Sequence, residues 1–199
     1  MTPLCELARR YETDKGGQHF RYGGGDSDTN HNYTPVYHAI FGEDRDNVKD
    51  VLEIGVHAGS SLRMWKEYFP KAYIVGLDIN LDCMRYKEDR VDVRMADQNN
   101  PAQLTRVLGA HQFDIIVDDG SHERSHQIVS MQTLLPLLQD WGWYIIEDLG
   151  TGPVENLKSL MDAVPDGFEG EAIKITGGLG PKVQPHEWLF IVRRVHNHG

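Results

Sequence analysis

From residue 51 onward, short β-branched apolar runs alternate with longer amphipathic segments. That alternation admits few architectures besides a parallel sheet with helices on both faces. The runs predict strands over 50–54, 72–78, 91–95, 113–117, 143–146, 172–176 and 188–193. Between them, Leu62, Trp65, Lys66 and Phe69 at helical spacing predict a helix over 60–69, and Ile128, Met131, Leu134, Leu135 and Leu138 predict another over 125–138. The last two runs are joined by GGLGPKVQPHE, too short for a crossover helix, so they are expected to pair as an antiparallel hairpin. The expected fold is therefore α/β: a Rossmann-like, seven-stranded, mostly parallel sheet closed by a C-terminal antiparallel hairpin.

Residues 1–49 read as a separate N-terminal segment and 50–199 as the sheet domain, a division that 199 residues accommodate comfortably. A short helix is expected over 4–11. It leads into GGQHFRYGGGDSDTNHNY, whose turn formers predict a mobile loop, either a lid beside the ligand edge or an ordinary extension. The formal charge of -10 repels a phosphate backbone, and the basic stretch 85–94 is interrupted by acids, so nucleic acid is excluded as a partner. Two distant cysteines without a CxxC give neither a disulfide framework nor a thiolate zinc site, which suits a reducing cytoplasm. The amino terminus has no signal-peptide pattern and no long apolar run occurs, so a soluble, cytoplasmic protein without a membrane partner is expected.

VLEIGVHAGSS is a strand running into a turn of small residues, Gly55, Ala58, Gly59 and Ser60, and then into a helix. Small residues let a ligand approach the backbone, and the helix start offers unpaired N–H groups. About twenty residues on, Asp78 ends the second strand, where a carboxylate accepts hydrogen bonds from ribose hydroxyls. Asp97 follows the third strand, where it and Gln98 are placed for the amine and ring edge of adenine. The dinucleotide pattern GxGxxG fails at His57 and Ser60, which argues against NAD. ExGxxxGxS with an acid after each of the next two strands resembles the class I S-adenosylmethionine-dependent methyltransferases. By that resemblance Gly55 and Gly59 touch the methionine part of the cofactor, Asp78 holds the ribose, and Glu53 sits beneath the amino group.

FDIIVDDGSH and WYIIEDLG end adjacent strands in paired carboxylates, Asp118-Asp119 and Glu147-Asp148. Four carboxylates there repel one another by several kcal/mol unless a cation neutralises them or some are protonated. All-oxygen ligands favour a hard ion, Mg²⁺ or Mn²⁺. Zinc would need a third nitrogen or sulfur ligand beside His122 and His126. His122 is cast as the general base, since an imidazole takes a hydroxyl proton near neutral pH; capping of the following helix is the structural alternative.

These segments resemble a narrower group, the metal-dependent macrolide sugar O-methyltransferases and the related cephalosporin hydroxylase family. The resemblance makes Asp119, Glu147 and Asp148 metal ligands and His122 the base, and brings Asp118 to the cofactor. TDKGG and HNYTPVY are similar to that group's own patterns and would bring Lys15 and Tyr33 to the active site, Lys15 towards the cofactor and Tyr33 towards the substrate. It implies S-adenosyl-L-methionine and Mg²⁺ or Mn²⁺ as cofactors, a hydroxylated small molecule as substrate, and a homo-oligomer. A metal-dependent hydroxylase or hydrolase on the same fold, and a non-catalytic nucleotide-binding module, are the competing readings.

Overall fold

A computed structural model describes residues 1–16, 30–149, 153–178 and 187–195. Seven strands form one sheet: β1 (Asp50–Ile54), β2 (Tyr73–Asp78), β3 (Val91–Met95), β4 (Phe113–Asp118), β5 (Leu138–Ile146), β6 (Phe168–Ile175) and β7 (Glu187–Arg194). Their order is β3-β2-β1-β4-β5-β7-β6. The first five run parallel, while β7 inserts between β5 and β6 antiparallel to both. The expected hairpin is thus present, although most of its connection lies outside the described residues. β5 starts five residues earlier than its apolar run, through an irregularity opposite Phe113 and Ile115 that carries the exposed Trp141.

Among the described residues six α-helices cover the two faces: α1 (Pro3–Tyr11), α2 (Thr34–Phe41), α3 (Ser60–Tyr68), α4 (Pro101–Leu108), α5 (Arg124–Leu134) and α6 (Pro153–Ala163). Strand side chains alternate between faces. Val51, Ile74, Ile115, Val117 and Ile145 pack on one side with Leu4 and Leu7 of α1, Tyr37 and Phe41 of α2 and Trp65 of α3. Leu52, Val75, Ile116 and Ile146 pack on the other with Leu104 of α4, Met131 of α5 and Leu160 of α6. The segment preceding β1 therefore shares the core of the sheet. α2 is locked onto α3 by Tyr37 edge-on to Trp65, with ring centroids 5.3 Å apart.

The N-terminal segment is tied together by its backbone. The N–H groups of His31, Asn32 and Tyr33 donate to the carbonyls of Asp14, Gly16 and Lys15 at 2.8–3.0 Å. TDKGG and HNYT thereby lie side by side. Residues 17–29, which carry most of the glycine-rich stretch read as a lid or an extension, lie outside the described residues. No helix among the described residues is long and apolar enough to cross a membrane.

Candidate metal and cofactor site

The site is built at the carboxyl ends of β1, β4 and β5, where the hydrogen-bond ladder runs one residue past each strand. Asp119 N–H donates to Ile54 O and Glu147 N–H to Asp118 O, both at 3.0 Å. This sets Asp119 beside both Gly55 and Glu147. The two-residue period then divides the four acids of the DDGSH and ED strings. Asp119 and Glu147 point to the α1–α3 side, where both meet Lys15, whereas Asp118 points to the α4–α6 side.

Asp118 is fully buried, accepting from Gln98 Nε2 at 2.6 Å, from Tyr144 Oη at 3.1 Å and from the Ser130 hydroxyl. The expectation that four carboxylates converge is therefore corrected to three, and Asp118, expected to touch the cofactor, has no surface to offer it. Gln98, expected on adenine, is corrected for the same reason: it is buried, its Nε2 faces Asp118 and Ser130, and its Oε1 accepts from Ser121 N–H at 2.9 Å. Asp118 and Gln98 brace the DDGSH turn from beneath.

Burial pushes the Asp118 carboxyl up to about 6, from an ordinary value of 3.8. The folded state thus binds this proton more tightly than the unfolded chain, and the stability gained is complete below about pH 3.8 and lost as pH rises through about 6. Asp118→Asn removes that loss. Relative to wild type the variant should gain stability between those limits, by up to roughly 3 kcal/mol, and level off above them. Paired thermal melts across that range check it; a constant difference would remove burial of the charge as the cause.

On the other face, Lys15 is 1% exposed and its Nζ contacts Asp119, Glu147 Oε2 at 2.6 Å and Glu53 Oε1 at 3.4 Å. Burial opposes its charge, but the three carboxylates outweigh burial and raise its pKa well above the ordinary value. Glu147 is equally buried and also accepts from the Tyr37 hydroxyl. Glu53 is buried and accepts from Ser61 Oγ at 2.7 Å, so the second serine of the glycine turn engages it, while Ser60 opens α3.

Asp119, His122 and Asp148 each bring a ligand atom within 4.8 Å of the others, a group able to hold a metal ion. His122 is exposed, its Nδ1 3.8 Å from Asp148 Oδ2. Asp148 accepts from the Tyr33 hydroxyl at 2.6 Å. Burial opposes ionisation of Asp148, but His31, the Tyr33 hydroxyl and His122 together hold its pKa below the usual value. His122 and Asp148 both adopt left-handed backbone, with φ of +59° and +49°. Such conformations cost non-glycine residues roughly 1–3 kcal/mol each. Tyr33 is only 1% exposed, so the expected substrate contact is corrected to support of Asp148 from below.

The glycine turn adjoins this group. Gly55 (φ +93°) sits against the Asp119 carbonyl, and Gly59 (φ +72°), the N-cap of α3, has the Tyr86 ring against its Cα. Asp78 is half-buried and pinned to the turn: its Oδ2 accepts from Val56 and His57 N–H at 2.9 and 3.2 Å, and its Oδ1 from Asn80 N–H at 2.8 Å. Burial works against the charge, yet these N–H groups lower its pKa. Asp97 is partly exposed and closes its own turn through Asn99 N–H at 2.8 Å.

Sequence reading missed three supporting groups. Tyr37 lies four residues after Tyr33, one helical turn on, and that spacing was the available signal. His31 opens the HNYTPVY segment but was given no role, and Glu187 carried no signal: His31 Nδ1 is 2.8 Å from Glu187 Oε1, a pairing across 156 residues of chain, and 3.4 Å from Asp148.

No family model matches the chain. It is 39% identical over 156 residues to 8-demethyl-8-alpha-L-rhamnosyl tetracenomycin-C 2'-O-methyltransferase of Streptomyces olivaceus, covering 74% of this chain and 38% of the relative. It is 35% identical to L-olivosyl-oleandolide 3-O-methyltransferase of Streptomyces antibioticus, covering 83% and 48%. The chain spans under half the length of these curated relatives. Among solved structures, the MycE methyltransferase of the mycinamycin biosynthetic pathway, in complex with Mg, SAH and mycinamycin VI, aligns with a TM-score of 0.73 and 32% identity over 99% of this chain and 56% of its own. Sequence similarity over about three quarters of the chain and likeness of fold over nearly all of it thus agree, and the chain belongs to the class I S-adenosylmethionine-dependent methyltransferases.

Proposed function

We propose that the chain transfers a methyl group from S-adenosyl-L-methionine to a hydroxyl of a small glycosylated acceptor, assisted by Mg²⁺ or Mn²⁺. The observation that carries this reading is the meeting of Asp119, His122 and Asp148 beside the glycine turn. Similarity to sugar O-methyltransferases, and to a MycE structure holding Mg and SAH, supports it.

The residues fit both groups. Hard carboxylate oxygens suit a hard divalent ion, with Asp119 and Asp148 holding it and Glu147 completing the set where the Lys15 ammonium gives way. The turn of small residues from Gly55 to Gly59 and the start of α3 after it, with Asp78 and Asp97 beyond, suit an aminoacyl nucleoside. When bound, the cofactor supplies an electrophilic methyl and the ion offsets negative charge on the acceptor oxygen. His122 accepts the proton from the acceptor hydroxyl at its imidazole nitrogen. Asp148, itself fixed by Tyr33 and His31, keeps that ring in place. Glu53, Lys15 and Tyr37 hold the wall behind Asp119 and Glu147.

The oxygenase reading is not favoured, because such a centre wants two histidines and one carboxylate, whereas the group found among the described residues has one histidine and two carboxylates. Two buried free cysteines are consistent with a cytoplasmic setting, which belongs to this proposal together with a homo-oligomeric state.

Incubation with labelled cofactor, Mg²⁺ and a panel of hydroxylated glycosides should give a product heavier by one methylene, and EDTA should suppress it. Cofactor-independent, iron-dependent turnover of 2-oxoglutarate would overturn the reading. Asp78→Ala should weaken cofactor binding by about 1–3 kcal/mol and also loosen the turn that Asp78 pins. Calorimetry checks the affinity; an unchanged dissociation constant would place the ribose elsewhere.

A further inference from the structure

Lys15 is sealed into the acid wall rather than laid along the cofactor turn. Its side chain is 1% exposed, its Nζ touches Asp119 and lies 2.6 Å from Glu147 Oε2, and Glu53 Oε1 at 3.4 Å has no hydrogen-bond partner. Its main chain is anchored, since its carbonyl accepts from Tyr33 and Thr34 N–H at 3.0 and 3.1 Å. Movement is left to the flexible four-carbon stem. Glu147 keeps a second donor, the Tyr37 hydroxyl, when that stem swings away.

We infer that Lys15 is a built-in rival of the divalent ion: it occupies Asp119 and Glu147, keeps the acid wall assembled before the ion arrives, and weakens the ion's hold afterwards. The inference rests on the metal-assisted reading above and deepens it. One ammonium faces three carboxylates, Glu53, Asp119 and Glu147, so acidic groups outnumber the cation beside them and oxygens are left for a second cation. Buried carboxylates left without any partner are strongly destabilising, which is why an empty site needs the ammonium. A positive charge within a few ångströms of a dication opposes it, which is why a filled site does not.

The test uses Lys15→Met, with Mn²⁺ as the probe followed by the electron paramagnetic resonance of the free ion, and thermal melts in EDTA and in Mn²⁺. The variant should bind Mn²⁺ about tenfold more tightly than wild type. Its melting temperature should fall in EDTA and rise with Mn²⁺ by more than wild type's does. Folding that requires Mn²⁺ would also support the inference. If Lys15→Met does not fold under either condition, K15M/E53Q, which restores the net charge of the wall, decides the matter by the same affinity measurement. Folded variant protein binding Mn²⁺ no more tightly than a wild type that does bind it would overturn the inference and leave the metal reading standing. Absence of Mn²⁺ binding in both proteins would overturn the two together.

Discussion

His122→Ala is expected to slow methyl transfer by roughly 10²- to 10⁴-fold while leaving cofactor affinity nearly unchanged. The imidazole is 45% exposed in its side chain, so truncation removes little packing. It faces Asp148 rather than the glycine turn, so cofactor contacts are left intact. Single-turnover kinetics on the acceptor, paired with calorimetry on the cofactor, separates the two quantities. Equal losses in both would contradict a proton-transfer role and return His122 to the metal.

Gly55→Ala is expected to prevent folding, or to cost at least about 3 kcal/mol, through the backbone rather than the chemistry. A Cβ there would lie 2.0 Å from the Asp119 carbonyl oxygen and 2.8 Å from its carbon, at a φ of +93° that a side chain rarely adopts. The residue cannot turn away, because its N–H donates to Leu77 O at 2.8 Å and Asp119 is tied to Ile54. Gly167→Ala is the control, since its φ is also positive, +86°, with nothing within 4 Å of the added carbon. Denaturant melts should show a small loss for the control and a large one for Gly55→Ala. Similar losses would mean that conformation alone, not the close approach to Asp119, makes the glycine necessary.

The ease with which these elements were read from sequence follows the range of the forces that form them. The central strands were legible because a strand buried on both faces is largely apolar, as IIV in β4 is, with Glu53 in β1 the exception; the edge strand β6, FEGEAIKI, was legible only over its apolar end. The helices α2, α4 and α6 went unassigned although Pro35, Pro101 and Pro153 stand in their first turns, where the residue marks a start, as Pro3 does in α1. Asp118 and Gln98 looked like ligands because strand-end acids and amides often are. Their inward orientation is set by Ser130 and Tyr144, supplied by a helix and a strand far along the chain. Lys15 was reachable only through resemblance to known patterns, since two of the three carboxylates it meets, Asp119 and Glu147, lie 104 and 132 residues away.

The left-handed backbone at His122 and Asp148 has an evolutionary corollary. Glycine and asparagine fit such angles at lower cost than histidine or aspartate. A library of variants ranked only by survival of heating should therefore enrich glycine or asparagine at residue 122 and discard turnover in the process. Recovery of histidine at residue 122 only when turnover is selected alongside heat survival would support the proton-transfer role proposed for it.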